Sequence, residues 1–123
     1  MNLTLPLPPS VNSYWRSVSV KPGVTKVLIS RDGRAWKKKA LQLVAMQRTQ
    51  VVTGPVSITL TVYFKDLRRD LDNTAKPVLD LLQAAGLYAN DRQVTRLLMV
   101  RRVDKGNPRV EVQVEQDAQA KAA

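Results

Sequence analysis

Val56-Ser57-Ile58-Thr59-Leu60-Thr61-Val62-Tyr63-Phe64 alternates apolar and polar side chains without a break. Successive side chains of a strand point to opposite faces. The stretch therefore predicts a strand that buries Val56, Ile58, Leu60, Val62 and Phe64 and leaves its other face polar. A sheet covered on one face needs helices, and the flanking sequence supplies them. Upstream, Ser30 can cap a helix from about Arg31 to Arg48, with Trp36, Ala40, Leu43, Val44 and Gln47 at helical spacing. Lys37, Lys38 and Lys39 cover much of the opposite surface of that helix, and Thr53-Gly54-Pro55 breaks the chain before the strand begins. Downstream, a second helix is expected from about Thr74 to Ala85, with Val78, Leu79, Leu82 and Ala85 as its inner stripe. Pro77 falls in its first turn, where a missing N–H costs least, and Gly86 suits the position just past its end.

Working outward, Leu3 to Leu7 reads as a short strand that leaves through Pro8 and Pro9 into a stiff turn. Arg16 to Ile29 reads as a basic loop or a loose hairpin (Ser17–Lys21 with Thr25–Ile29) about Pro22-Gly23. Val94 to Val103 is a strand with apolar side chains at both parities. Such a strand is covered on both faces, either by a second subunit or as a central strand under a helix of its own chain. After the turn Lys105-Gly106-Asn107-Pro108, Val110, Val112 and Val114 alternate with polar residues in a last, half-exposed strand. The expected fold is α/β (α+β): a mixed four-stranded sheet with two packed helices, in the order strand, helix, strand, helix, strand, strand. Residues 1–116 form one domain, and 117–123, rich in Ala and Gln, are expected to fray.

The chain contains no cysteine and no histidine. That excludes disulfides, zinc fingers, thiol nucleophiles, Ser-His-Asp triads and histidine metal ligands. Any catalysis must run on carboxylates, lysine, tyrosine, hydroxyls or a metal held by oxygen. No apolar run is long enough to span a bilayer, and the first residues have no signal-peptide pattern, so a cytoplasmic protein is expected. The net charge of +10 implies a polyanionic partner, and nucleic acid fits better than a membrane surface. Five of the ten acidic residues nevertheless fall between Asp66 and Asp91. A phosphate-binding protein gains by avoiding carboxylates, so their concentration here points to a task.

The segment Arg68-Arg69-Asp70-Leu71-Asp72-Asn73-Thr74-Ala75-Lys76 carries that task. If Asp70 and Asp72 are extended, both side chains point to one face, with Cα atoms roughly 6.5–7 Å apart, and Leu71 turns into the core. Their oxygens suit Mg²⁺, which takes oxygen ligands and keeps waters and a substrate phosphate, with Mn²⁺ as a candidate substitute. Lys76, about one helical turn on, could reach the scissile phosphate. Asp91 supplies a third ligand if the following strand pairs beside Val56–Phe64 and returns it to the same sheet end. A structural account of each residue stands beside this one. Asp72 could cap the helix, Asp70 could pair with Arg68 or Arg69, and Asp91 could be a turn residue. Lys76 could simply be solvated or pair with Asp80.

Four pieces in order across nearly the whole chain resemble the RusA family of Holliday junction resolvases. They are Leu5-Pro6-Leu7-Pro8-Pro9-Ser10-Val11-Asn12-Ser13-Tyr14, Arg69-Asp70-Leu71-Asp72-Asn73 with Lys76 and Asp80, Ala85-Gly86-Leu87, and Asn90-Asp91-Arg92-Gln93-Val94. The resemblance implies a homodimer that binds four-way DNA junctions and cuts two opposing strands with Mg²⁺. It implies Asp70, Asp72 and Asp91 as catalytic metal-binding aspartates with Lys76 as their basic partner, and it suggests a phage origin. One departure is Asn90-Asp91, where the family commonly carries an acidic pair.

DNA contacts are expected from Arg68 and Arg69 as phosphate clamps, from Lys37, Lys38 and Lys39, and from Lys21, Lys26 and Arg31 on or near the loose segment. Tyr14 and Trp15 either stack on unpaired bases or pack under the Pro8-Pro9 turn, and Trp36 is read as core. Two other functions compete with a junction-resolving nuclease. One is a basic DNA-binding protein whose aspartates are structural; the other is a nuclease for other branched DNA.

Overall fold

The computed structural model describes residues 1–120, without the side chains of 11 and 12. The chain runs β1 (Asn2–Pro6), α1 (Val11–Tyr14), β2 (Trp15–Lys21), β3 (Val24–Ile29), α2 (Arg31–Gln47), β4 (Val56–Phe64), α3 (Ala75–Ala84), β5 (Val94–Val103) and β6 (Arg109–Gln116). Short 3₁₀ turns at Asp72–Thr74 and Asp91–Gln93 lead into α3 and β5. The main sheet is mixed, in the order β1-β6-β4-β5, with β4 antiparallel to β6 and parallel to β5.

The β4 alternation is realised residue by residue: Val56, Ile58, Leu60, Val62 and Phe64 are buried, and the residues between them are half-buried. Leu3 and Leu5 of β1 and Val110, Val112 and Val114 of β6 extend the same core face. Trp36, Ala40 and Val44 of α2, with Val78, Leu81 and Leu82 of α3, close it from above. Each fully buried aliphatic side chain contributes roughly 1.5–3 kcal/mol. Ser30 caps α2 as expected, accepting from the Gly33 amide at 3.0 Å. The phase of α3 differs from the sequence reading. Leu81 is buried and Leu79 only partly so, so the buried stripe runs through Val78, Leu81 and Leu82.

The segment after Pro9 is a one-turn helix, α1, leading directly into the hairpin β2–β3. The hairpin turns at Pro22-Gly23, where Gly23 has φ 78° and Pro22 presets the turn before it. β5 is not central: it forms an edge of the sheet, with Val94 and Met99 packed against the core while Leu97, Leu98 and Val103 are 40%, 45% and 52% exposed. Its double apolar parity thus reflects in part surfaces that its own chain leaves open. Of the tail, Asp117 is tied down, its N–H donating to the Pro55 carbonyl and its carboxylate accepting from Thr95 Oγ1. The tail's last residues, 121–123, lie outside the described residues.

Candidate active site

The loop from Lys65 to Asn73 leaves the C-terminal end of β4 and is pinned there by two arginines on one ring. Arg101 of β5 lies 4.8 Å from the Phe64 ring centroid, and Arg69 lies 5.6 Å from it. Arg101 Nη2 donates to the Arg69 carbonyl at 2.7 Å, and Arg69 Nη2 donates to the Pro8 carbonyl at 2.9 Å. One cation-π stack thus joins β4, β5, the loop and the Pro8-Pro9 turn. Burial pulls the Arg69 guanidinium below its usual pKa, yet an arginine stays charged in that setting. Arg69 is therefore engaged with the protein itself. Its neighbour Arg68 is 90% exposed and pairs with Asp66, whose carboxylate accepts from the Arg68 amide at 2.9 Å.

Asp70 and Asp72 are both exposed, and among the described residues neither makes an ion pair or a side-chain hydrogen bond. They do not lie on an extended segment as the sequence reading supposed. Leu71 between them is helical (φ −63°, ψ −45°), because Asp72 already opens the 3₁₀ turn into α3. Asp72 is not a cap either: the position before the turn is Leu71, and no side chain caps it. Lys76 pairs with Asp80 one turn along α3, at 3.4 Å, and its Nζ sits 5.9 Å from the Trp15 ring centroid.

Asp91 lies at the other end of α3. Because β5 runs parallel to β4, the turn carrying Asp91 meets the start of β4, whereas Asp70 follows its end. The ten residues of α3 span roughly 15 Å between them. The Gln83 amide, with its nitrogen inward, donates to both Asp91 oxygens at 2.7 and 3.0 Å. Tyr88 sits beneath, its hydroxyl donating to the Leu79 carbonyl; burial, then Asp91 and Asp80, push its pKa up. Among the described residues no three acidic side chains gather closely enough to hold an ion, so a single chain does not bring Asp91 to Asp70 and Asp72. Asn90, where the sequence departs from an acidic pair, caps the turn that carries Asp91. Its side-chain oxygen accepts from the Arg92 amide at 2.8 Å, while Gln93 Oε1 accepts from the Asn90 amide at 3.1 Å. This reciprocal cap builds the Asp91 turn.

Of the expected DNA-contacting residues, Lys37 and Lys38 line a cleft between the hairpin and α2, while Lys39 faces solvent. Lys21, Lys26 and Arg31 are exposed on the hairpin and at the start of α2. Tyr14 is buried core, edge-on to Trp15 and Trp36, whereas Trp15 is only half-buried. Sequence reasoning missed Arg101, which looked like one polar interruption of a strand. Its one signal was register: it faces Val62 on the core side, where a bare cation needs an aromatic partner.

A basic domain that leaves two carboxylates bare on the loop before α3 suits work on phosphodiesters. The profile of the family described as Endodeoxyribonuclease RusA matches residues 6–115. The chain is 33% identical over 102 residues to the crossover junction endodeoxyribonuclease RusA of Escherichia coli K12, covering 81% of each chain. It is 30% identical over 112 residues to the protein of that name from Enterobacteria phage HK97, covering 89% of each, and 33% identical over 102 residues to that of phage 82. The chain belongs to the RusA family of endodeoxyribonucleases, a family of structure-specific hydrolases.

Proposed function

We propose that this chain acts as a homodimer that binds four-way DNA junctions and cuts two opposing strands in a Mg²⁺-dependent reaction, with Mn²⁺ as a substitute ion. The observation that carries the reading is the pair Asp70 and Asp72, exposed and unpaired among the described residues, on a loop that Arg69 and Arg101 clamp to Phe64. Exposed carboxylates in a protein of net charge +10 find cationic partners easily, so leaving two of them bare favours a ligand from outside. The donor set fits the ion: Mg²⁺ is commonly held by one or two carboxylates, with waters and substrate phosphate completing its shell. When bound, such an ion polarises the phosphoryl oxygens and lowers the pKa of a coordinated water.

The chain's own residues do the rest. Asp70 and Asp72 hold the ion at the loop. Lys76, already within reach of Asp80, trades that pairing for the developing negative charge on the scissile phosphate. Arg68 grips a flanking phosphate, and Lys21, Lys26, Arg31, Lys37, Lys38 and Lys39 track the backbone of the arms. Asp91 completes the ligand set by movement of its capped turn or from a second copy of the chain. The open apolar edge of β5 favours a dimer, since a two-fold junction with two coordinated cuts needs two equivalent sites.

The test is cleavage of a labelled synthetic four-way junction with Mg²⁺, comparing wild type with Asp72→Asn and using linear duplex as control. Paired nicks by wild type, reduced at least roughly a hundredfold in the variant while binding persists, are expected; that loss is the scale of one transition-state contact. Tight binding without cuts by wild type, in Mg²⁺ or Mn²⁺, would leave a structure-selective DNA-binding protein.

A further inference from the structure

A cleft of about 720 Å³ opens between the hairpin β2–β3 and the first turns of α2, and no residue of the aspartate loop lines it. Trp15, Val27, Ile29 and Leu41 form its apolar walls, and Lys37 and Lys38 stand at its rim. No acidic residue lines it. The hairpin register explains most of the apolar wall: Trp15 opposes Ile29 and Ser17 opposes Val27, so Trp15, Val27 and Ile29 share one face, while Leu28, opposite Arg16, adds to the lining from the other parity. The root of the cleft is fixed. Arg34 Nη1 donates to the Ile29 carbonyl at 2.9 Å, and the Ser30 hydroxyl donates to the Ser13 carbonyl. Gly33 lets α2 approach so closely that a Cβ there would stand 2.7 Å from the Tyr14 carbonyl oxygen.

We propose that this cleft receives one unstacked nucleobase from the branch point of the bound DNA, its flat faces against Trp15 and Leu41 and its phosphate on Lys37 and Lys38. The inference rests on the nuclease reading above and adds to it a means of selecting structure. Apolar walls with an aromatic ring suit a base, and a lining whose only charges are the cations Arg34, Lys37 and Lys38 suits the phosphate attached to it. An apolar peptide has no use for those cations, whereas a nucleotide's phosphate does. The position also fits. Trp15 forms one wall of the cleft and meets Lys76 at 5.9 Å, so a nucleotide seated there leaves the adjoining backbone near Lys76. Pulling out a base costs least where stacking is already broken, as at a branch point, and most in a linear duplex. Phosphate contacts alone carry no such discrimination.

The experiment uses the full chain, without divalent ion, on four-way junctions carrying 2-aminopurine either at the branch point or deep in an arm. Wild type is expected to change the emission of the branch-point probe alone and to quench tryptophan emission on binding. Val27→Asp places a carboxylate on the apolar wall at a side chain 61% exposed, where folding tolerates it; a thermal melt checks this. It is expected to abolish both optical changes and to lower the preference for junction over duplex on the order of tenfold. Lys38→Gln should weaken the branch-point signal less. A Val27→Asp protein with wild-type signals and preference overturns the cleft assignment while leaving the nuclease reading intact, provided wild type cuts the junction. Wild type that neither binds nor cuts junctions overturns both.

Discussion

The two edges of the sheet are finished in opposite ways. At β1, α2 reaches over and closes the strand. Gln47 accepts from the Thr4 amide at 2.8 Å and donates to the Thr4 carbonyl at 2.9 Å, and Trp36 Nε1 donates to the Pro6 carbonyl at 2.9 Å. At β5 no further strand follows, and apolar side chains stand open on both faces. An uncovered apolar edge invites pairing with another chain, and proteins that must stay alone blunt it. Here one edge is blunted with side-chain amide chemistry and the other is not. The open edge also borders the site twice: Asp91 lies just before β5, and Arg101 within β5 holds the aspartate loop. Whatever docks on β5 therefore bears directly on the catalytic frame.

The strand between the edges sets the scale. Leu60→Ala empties the middle of β4, where burial is complete, and is expected to cost about 3–5 kcal/mol in denaturant unfolding. A loss under about 1 kcal/mol would mean that the core is not centred on β4. At the open edge, Leu98→Glu is expected to leave the fold's stability within about 0.5 kcal/mol, since the side chain already meets water. In the proposed dimer the same change should raise the dissociation constant at least roughly tenfold in sedimentation, the equivalent of 1.4 kcal/mol. An unaltered association state would break the comparison, because the bare edge would then have no occupant. At the closed edge, Gln47→Ala removes two hydrogen bonds to β1 and is expected to cost roughly 1–2 kcal/mol. Hydrogen exchange should show the loss confined to the Thr4 region; a global increase in exchange would argue that Gln47 supports more than the edge.

Much of this was legible from the sequence. The period-two pattern of Val56–Phe64 fixed the central strand, Ser30 marked the start of α2, and Pro22-Gly23 marked the hairpin turn. The bounds of Val94–Val103 were also legible, but not its place, because apolar side chains at both parities look alike in a covered strand and an uncovered edge. The site was half legible. Residue types revealed the carboxylates, whereas their conformation depended on how Pro77 and the 3₁₀ turn begin α3. That Asp91 stands apart from the pair follows from the parallel β4–β5 crossover, which the order of elements alone does not determine. Arg69 read as a phosphate clamp because its ties to Pro8 and Phe64 are long-range contacts with no local signature.

The smallest effect is expected where β5 hands over to β6. Asp104 follows β5, its amide donating to the Phe64 carbonyl at 2.8 Å, and its carboxylate accepts from Arg109 Nη1 at 2.8 Å. Arg109 in turn lies 3.8 Å from the Tyr63 ring centroid, so the pair fastens the end of the open edge strand to the interior of the sheet. The hydrogen bond from Arg109 holds the Asp104 carboxyl below the usual carboxylate range. A group whose folded pKa is depressed contributes stability above its unfolded value, and that contribution fades as pH falls through the folded one. Asp104→Asn should therefore lower the melting temperature slightly at neutral pH. The difference should begin to shrink near pH 4, the ordinary aspartate value, and close below it. A gap that stays constant through that range would assign the cost to the turn's shape rather than to the ion pair. The end of β5 would then be held by the β4 ladder alone.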